Sequence, residues 1–392
     1  MKRKRRSFKL GLSFDDVLLV PQRTRAASRK FVDVSTRLSP GINLRLPIIS
    51  ANTPWCTESA MAIAMAKLGG IGFIHRVNKA EHQADLVRQV KSHLFDADDY
   101  PDRSVDRSGR LLVGAAIGVK LDVDKRASLL LEAGADLLVL DVAHGHADYA
   151  VETLERLKRK FPDVTFVAGN VATAQGTADL ISAGAEVVKV GIGPGGVCTT
   201  RVVTGCGVPQ ITALLNCVDE ANKHNIPVIA DGGIKTSGDI TKALAAGAST
   251  VMIGSLLAGV EESAAKTIER NGGKYKMSTG FATMGMELSL KALDGTITRE
   301  ELEQYVPEGV EATFSYAGSL RRVITNLIGG LRSGMSYCGA MSITELQEKA
   351  EFMRVTSLGQ YEGQPHVLNN PGLHGTEVTK PVDELVKSNG SY

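Results

Sequence analysis

The sequence contains a single tryptophan, and its aromatic residues together amount to 5%. A surface that stacks on nucleic-acid bases needs more rings, and a formal net charge of +2 gives no general attraction to a phosphate backbone. No nucleic-acid partner is expected. No apolar run is long enough to span a bilayer, and the basic start MKRKRRSFK is not followed by the apolar core of a secretory signal. These absences point to a soluble cytoplasmic protein with no membrane partner. The five cysteines (Cys56, Cys198, Cys206, Cys217 and Cys338) are odd in number and lack paired CxxC spacing. That speaks against a disulfide framework and against a zinc site, and leaves reduced thiols.

What is present is an ordinary globular composition over 392 residues, 43% hydrophobic and 22% charged, enough to bury a large core. Short runs rich in Val, Ile and Leu recur as LPIIS at 46, GIGFIH at 70, LLVGAAI at 111, LLVLD at 137, VTFVAGN at 164, EVVKVG at 186, PVIADGG at 227 and TVMIGS at 250. Each reads as a strand buried on both faces. Helix-like stretches such as ADYAVETLERLKRKF and SGDITKALAAGAS lie between them, and EAGAD, SAGAE and AAGAS each place a Gly at a helix end just before a strand. This α/β pattern predicts a closed (β/α)8 TIM barrel.

Two stretches interrupt the rhythm. The polar segment 91–110 reads as a surface excursion, and 271–320 as a longer flap after the eighth strand. The predicted organisation is a basic tail (1–11), one catalytic barrel (12–367) and a flexible C-terminal extension (368–392).

In a TIM barrel the chemistry gathers where strands end, and Asp141, Asn170, Asp231, Gly254 and the loop GIGPGGVCTT (191–200) all follow strands. Glycines in that loop free backbone N–H groups and allow close approach of a phosphate, while Cys198 suits covalent attack on an electrophilic carbon. Thr199 and Thr200 are placed to orient water or a leaving amine. DGGIKTSGD (231–239) and MIGS (252–255) suit a phosphate site, and Asp231 suits a sugar diol. Asp141, His144 and His146 stand together, but the further ligand that a metal site would need cannot be placed, so a ribose contact by Asp141 is the better reading.

With FDDVLLVP, GIGPGGVCTTR, GVPQITA, ADGGIKTSGDI, VMIGSLLAG, VPEGVE and GGLRSGMSYCGA in one chain, the sequence resembles the IMP dehydrogenase/GMP reductase family from about residue 12 to about 367. The resemblance implies a homotetrameric oxidoreductase acting at C2 of a purine 5'-nucleotide through a cysteine adduct, with NADPH or NAD as hydride partner. It makes Cys198 the nucleophile and Thr200 its partner, with Asp231 on the ribose and Gly232, Gly233, Gly254 and Ser255 on the phosphate. Asp141, Asn170 and Gly191 would face the nicotinamide, and Glu308 the purine N1 edge. A monovalent cation, potassium, would use carbonyls of Gly193, Gly195 and Cys198, with Glu362 contributed by a neighbouring subunit. The regulatory CBS pair of many dehydrogenases falls where 91–110 lie, and is absent.

The chain also departs from the family. Residues 286–306, MELSLKALDGTITREELEQYV, hold no Arg-Tyr pair of the kind that activates water in the dehydrogenases. The reductases use a flap glutamate; Glu287 is nearby, although alignment of the flanking glycines puts Met284 at that place. Thr53, Pro54 and Trp55 replace the usual Met-Asp-Thr, and Gly196 replaces a phosphate-binding Ser. Without its general base the hydrolytic branch is disfavoured. The expectation is therefore reductive deamination of GMP or a related guanine or 7-deazaguanine nucleotide, with Cys198, Thr200 and Glu287 catalytic. The alternatives are NAD-dependent oxidation of IMP to XMP and, more remotely, a non-catalytic nucleotide-binding barrel.

Overall fold

The computed structural model describes residues 8–119, 122–270, 272–277, 291, 298, 300, 309–310 and 312–363. They fall in two compact units, one within Met1–Met353 and the other within Arg354–Tyr392. The first holds eight parallel strands: β1 (Ile48–Ser50), β2 (Ile71–Ile74), β3 (Val113–Ile117), β4 (Leu137–Asp141), β5 (Phe166–Val171), β6 (Val187–Val190), β7 (Val228–Asp231) and β8 (Thr250–Ile253). Each pairs with the next, and β8 closes on β1 through Val251–Ile48, Met252–Ile49 and Ile253–Ser50. The result is the closed (β/α)8 barrel.

These strands are apolar at nearly every position because both faces are covered. Ile49, Phe73, Val139, Val167, Val187, Ile229 and Met252 fill the barrel interior, and alternate residues such as Ile48, Leu138, Val188 and Val251 meet the outer helices. A hairpin of Thr36–Ser39 and Ile42–Leu44 adds Leu38 and Leu44 to the interior cluster, stopping one end. The helices are α1 (Ser59–Lys67), α2 (Ala80–Ser92), α3 (Val123–Glu132), α4 (Asp148–Lys160), α5 (Ala174–Ser182), α6 (Thr200–Thr204), α7 (Gln210–Asn222), α8 (Ser237–Ala245), α9 (Ser255–Ala258), α10 (Leu320–Tyr337) and α11 (Ile343–Lys349). Gly134, Gly184 and Gly247, the glycines of the three short repeats, take φ of 98°, 105° and 98°. Each ends a helix in the left-handed conformation and turns the chain into the next strand. In α10, a Cβ on Gly330 or Gly334 would fall 2.0 Å from Ser237 Oγ or 2.7 Å from Thr241 Oγ1. The GGLRSGM motif thus lets α10 pack closely on α8.

After β8 the excursion begins as an antiparallel sheet of β9 (Lys266–Arg270), β10 (Gly273–Met277) and β11 (Thr313–Ser315). Lys276 anchors it, donating from a buried ammonium to the carbonyls of Glu261, Ser263 and Ala265 at 3.1 Å each. Among the described residues no helix is long and apolar enough to cross a membrane.

The short 91–110 segment is tied down by charge. Lys91, 4% exposed, bonds Asp106 at 3.0 Å and Asp136 at 2.7 Å. Burial works against the Asp106 carboxylate, but N–H donors of Arg110 and Ser108 and the Lys91 ammonium bring its pKa to about 2. Burial instead raises Asp136. Removing the shared cation leaves two desolvated carboxylates, so Lys91→Met is expected to cost about 3–5 kcal/mol at neutral pH in urea denaturation. The Asp106 contribution is held above its unfolded pKa near 3.9 and is lost as pH falls toward about 2, while the raised Asp136 works in the opposite sense. The Lys91→Met deficit should therefore shrink at the acid end.

Candidate active site

The ends of β4 to β8 and their following loops build one site. Cys198 sits before α6 in the loop after β6, its N–H donating to Gly195 O at 3.1 Å. The chain returning from the excursion holds this loop from outside: Cys198 bridges Gly309, and Val310 N–H donates to Val197 O at 3.1 Å. Cys198 Sγ lies 3.1 Å from Thr200 Oγ1. The thiol donates in its neutral form; in a thiolate the threonine hydroxyl can donate instead.

Behind the loop lies a charge cluster that the sequence pattern did not reveal. Lys189, on β6 and 2% exposed, bonds Asp141 of β4 at 2.8 Å and Asp231 of β7 at 2.7 Å, and donates to Asn170 Oδ1 of β5. Asn170 Nδ2 donates to Asp231 Oδ2 at 2.9 Å and to Gly191 O at 2.8 Å. Burial disfavours the Lys189 charge, but the two carboxylates outweigh it and raise its pKa above the ordinary lysine value. Burial likewise opposes the Asp141 charge, and Lys189, with Arg76 and Asn52, lowers its pKa nonetheless. Lys189 and Asp141 are both ionised near neutral pH. One Asp231 oxygen, Oδ2, is thus spent on Lys189 and Asn170, so contacts to a sugar hydroxyl fall chiefly to Oδ1.

Asp231, Gly232, Gly233, Gly254 and Ser255 line a cavity of about 310 Å³, with Gly195 and Gly196 on one flank and Ser13, Phe14 and Asp15 on another. Gly232 and Gly233 take φ of 86° and 81°, and a Cβ on Gly232 would reach Pro194 Cγ at 3.1 Å. They turn the chain and bring backbone to the cavity at once. Gly196 leaves room beside Ser255, whose Oγ is 3.2 Å from where a Cβ at 196 would stand.

Gly191 and Gly193 are glycines for packing. A Cβ on Gly193 would meet Arg201 Cγ at 2.6 Å. Gly191 has φ +153°, and its Cβ would fall 2.1 Å from Asp231 O. Its N–H donates to Val171 O at 2.9 Å and its carbonyl accepts from Asn170, so its backbone already serves the cluster. Gly191→Ala should push Asp231 away and raise the nucleotide KM at least about tenfold, since a loss of 1.4 kcal/mol in binding does that much; steady-state kinetics with a thermal-melt control checks it.

His144 and His146 stand 6.3 Å apart by ring centroids, with His146 on Asp179 at 2.7 Å. Among the described residues no group of three or more His, Cys, Asp or Glu could hold a metal ion. Glu287 and Glu308 lie outside the described residues. Glu362 ends helix α12 (Ser357–Glu362) of the second unit and is exposed. Besides Lys189, sequence reading overlooked Gln210, whose Nε2 donates to Val190 O at 2.9 Å and Asp231 O at 3.1 Å, and the 13–15 segment, which precedes every strand of the barrel. The GVPQITA motif that contains Gln210 was the available signal.

Comparison with known proteins agrees with the barrel fold. The sequence profile of the IMP dehydrogenase / GMP reductase domain matches residues 11–366. An inosine-5'-monophosphate dehydrogenase of Nitrosopumilus maritimus is 39% identical over an alignment 469 positions long, gaps included, covering 92% of this chain and 98% of the relative. A GMP reductase of Leishmania donovani is 35% identical over 475, covering 91% and 96%. The crystal structure of a cysteine-to-alanine variant of the GMP reductase of Trypanosoma brucei, in complex with guanosine 5'-monophosphate, superposes with a TM-score of 0.86 at 34% identity, covering 93% of this chain and 99% of that one. On these grounds the chain belongs to the IMP dehydrogenase/GMP reductase family of NAD(P)-dependent oxidoreductases.

Proposed function

We propose that the protein reductively deaminates a guanine 5'-nucleotide, GMP or a close relative such as a 7-deazaguanine nucleotide, at C2. The observation that carries this reading is the 286–306 stretch, which lacks the Arg-Tyr pair that would activate water for the hydrolytic branch. The Cys198–Thr200 contact of 3.1 Å is compatible with it, because a hydroxyl beside the sulfur can serve a departing amine as well as a water. The thiolate of Cys198 bonds to C2, and the 2-amino group leaves as ammonia with its protons drawn from Thr200 and solvent, with Glu287 a candidate relay. The chemistry that a bound nicotinamide cofactor, NADPH, would supply here is one hydride to C2. Breaking the C–S bond then restores the thiolate and releases the 2-deamino product, so that GMP, one hydride and two protons give IMP and ammonium.

Asp231 Oδ1 would hold the ribose, and Gly232, Gly233, Gly254 and Ser255 the phosphate. Asp141 would offer a nicotinamide carboxamide an acceptor, while Asn170, both of whose N–H groups are taken by Gly191 and Asp231, would hold that wall of the cofactor site in place. Carbonyls of Gly193, Gly195 and Cys198, with Glu362 of a second subunit in a homotetramer, would hold a potassium ion and steady the Cys198 loop. The second reading, oxidation of IMP to XMP with NAD, is favoured by relatives named as IMP dehydrogenases at 39% identity.

The test is nicotinamide absorbance with purified protein, given GMP plus NADPH in one cuvette and IMP plus NAD with potassium in another. NADPH loss with ammonia release is expected; NADH formation with XMP would replace this reading by the second.

A further inference from the structure

The Thr53–Pro54–Trp55 turn, left over from the sequence comparison, lies in the wall of the 310 Å³ cavity beside Asp231 and Ser255. Trp55 is the only tryptophan in the chain, and it is half-buried while Cys56 and Thr57 after it are fully buried. The other aromatic lining residue, Phe14, is 3% exposed.

The turn is held rigidly. Cys56 N–H and Thr57 N–H both donate to Thr53 O, at 3.0 and 3.2 Å, and Ala265 N–H donates to Trp55 O at 3.0 Å. Thr57 Oγ1 donates to Ala51 O at 2.7 Å. Pro54 fixes its own φ. The Thr53 hydroxyl is buried without a hydrogen-bond partner among the described residues, a cost of the size of a lost hydrogen bond that a bound polar group would relieve.

A nucleotide brings three chemically different parts to such a cavity. Glycine backbone and Ser255 suit the phosphate, and Asp231 suits the sugar. The planar base needs an apolar face, and a large aromatic ring held at the cavity edge on a fixed backbone provides one at little entropic cost. We infer that Trp55 is a specificity-determining residue whose indole packs against the purine ring of the bound nucleotide. This rests on the nucleotide reading of the cavity proposed above.

Because the chain has one tryptophan, its fluorescence reports on Trp55 alone. Titration of the full-length protein with GMP, IMP and ribose 5-phosphate, followed in parallel by fluorescence and calorimetry, tests the inference. Both nucleotides should shift Trp55 emission, and ribose 5-phosphate should bind with little change in it. Trp55→Leu should weaken nucleotide binding between about five- and a hundredfold, as loss of a stacked base does, and leave ribose 5-phosphate affinity within about twofold, well under the tenfold that 1.4 kcal/mol represents. Trp55→Phe keeps a ring and should retain most of the affinity, which covers the case in which the leucine variant fails to fold. Nucleotide binding by calorimetry with unmoved emission, or equal affinity in folded Trp55→Leu, overturns the role of Trp55 while leaving the nucleotide reading intact. Failure of the wild type to bind GMP, IMP or a 7-deazaguanine nucleotide overturns both.

Discussion

Replacing Cys198 by alanine should abolish turnover and spare nucleotide binding. The expected fall in kcat is at least about ten-thousandfold, the scale on which removal of a covalent nucleophile acts, while the nucleotide Kd stays within about the tenfold that 1.4 kcal/mol represents. Single-turnover absorbance and calorimetry on the same preparation give both numbers. The proposed phosphate and ribose contacts lie chiefly on other loops, around Gly232 and Ser255, so the loss should be confined to chemistry. Thr200→Val should be milder, about a hundredfold or more in line with a lost proton-transfer partner, and the double variant should be no worse than Cys198→Ala, because the two act as one unit. Were Cys198→Ala to leave turnover intact, the covalent reading would be wrong; were wild type and variant both inert toward every purine nucleotide, the non-catalytic barrel would stand.

Lys189→Met should unfold the protein more readily than any other substitution in the site. One ammonium, 2% exposed, balances Asp141 and Asp231, and its loss leaves two largely buried carboxylates without their shared counter-charge. Removing one partner of a buried pair costs about 3–5 kcal/mol, to be read in urea denaturation, and adding Asp231→Asn should recover part of it. The pH dependence has a definite sign. Lys189 has a raised pKa, so its contribution is complete below about 10.4, the unfolded value, and is lost only as pH climbs through the higher folded value. Asp141 has a lowered pKa, so its share is complete above about 3.9 and is lost as pH falls through the lower folded value. The cluster's contribution should therefore be level between roughly pH 4 and 10, and Lys189→Met should remove that plateau.

The contrast between Asp141 and Lys189 shows what the sequence made visible. Strands were readable because burial on both faces makes runs such as LLVLD and VVKV continuously apolar, and the residues just past their ends, Asp141, Asn170 and Asp231, could be singled out by position alone. Lys189 lies inside such a run, where a lysine looks like an outward-facing interruption. Only barrel closure, which brings β4, β5 and β7 around β6, shows that it points at three polar partners. Gly191 shows the complementary case: its need for glycine was plain, but the Asp231 carbonyl that imposes it lies on a neighbouring strand. The 13–15 lip of the cavity could not be foreseen because nothing in SFD connects it with glycines more than two hundred residues later.

The tethering of the 91–110 segment has a consequence for how this scaffold can change. Lys91 on Asp136 secures one flank, and Ser104 N–H on Ala66 O at 2.7 Å secures the other, while residues 96–99 between them are exposed. With both flanks fastened independently, the barrel is indifferent to what the tip contains, and each doubling of a loop costs only about 0.6 kcal/mol. The tip is thus a docking point for inserted sequence, where a whole module can be gained or discarded in evolution, or grafted by design, while the opposite rim keeps its chemistry.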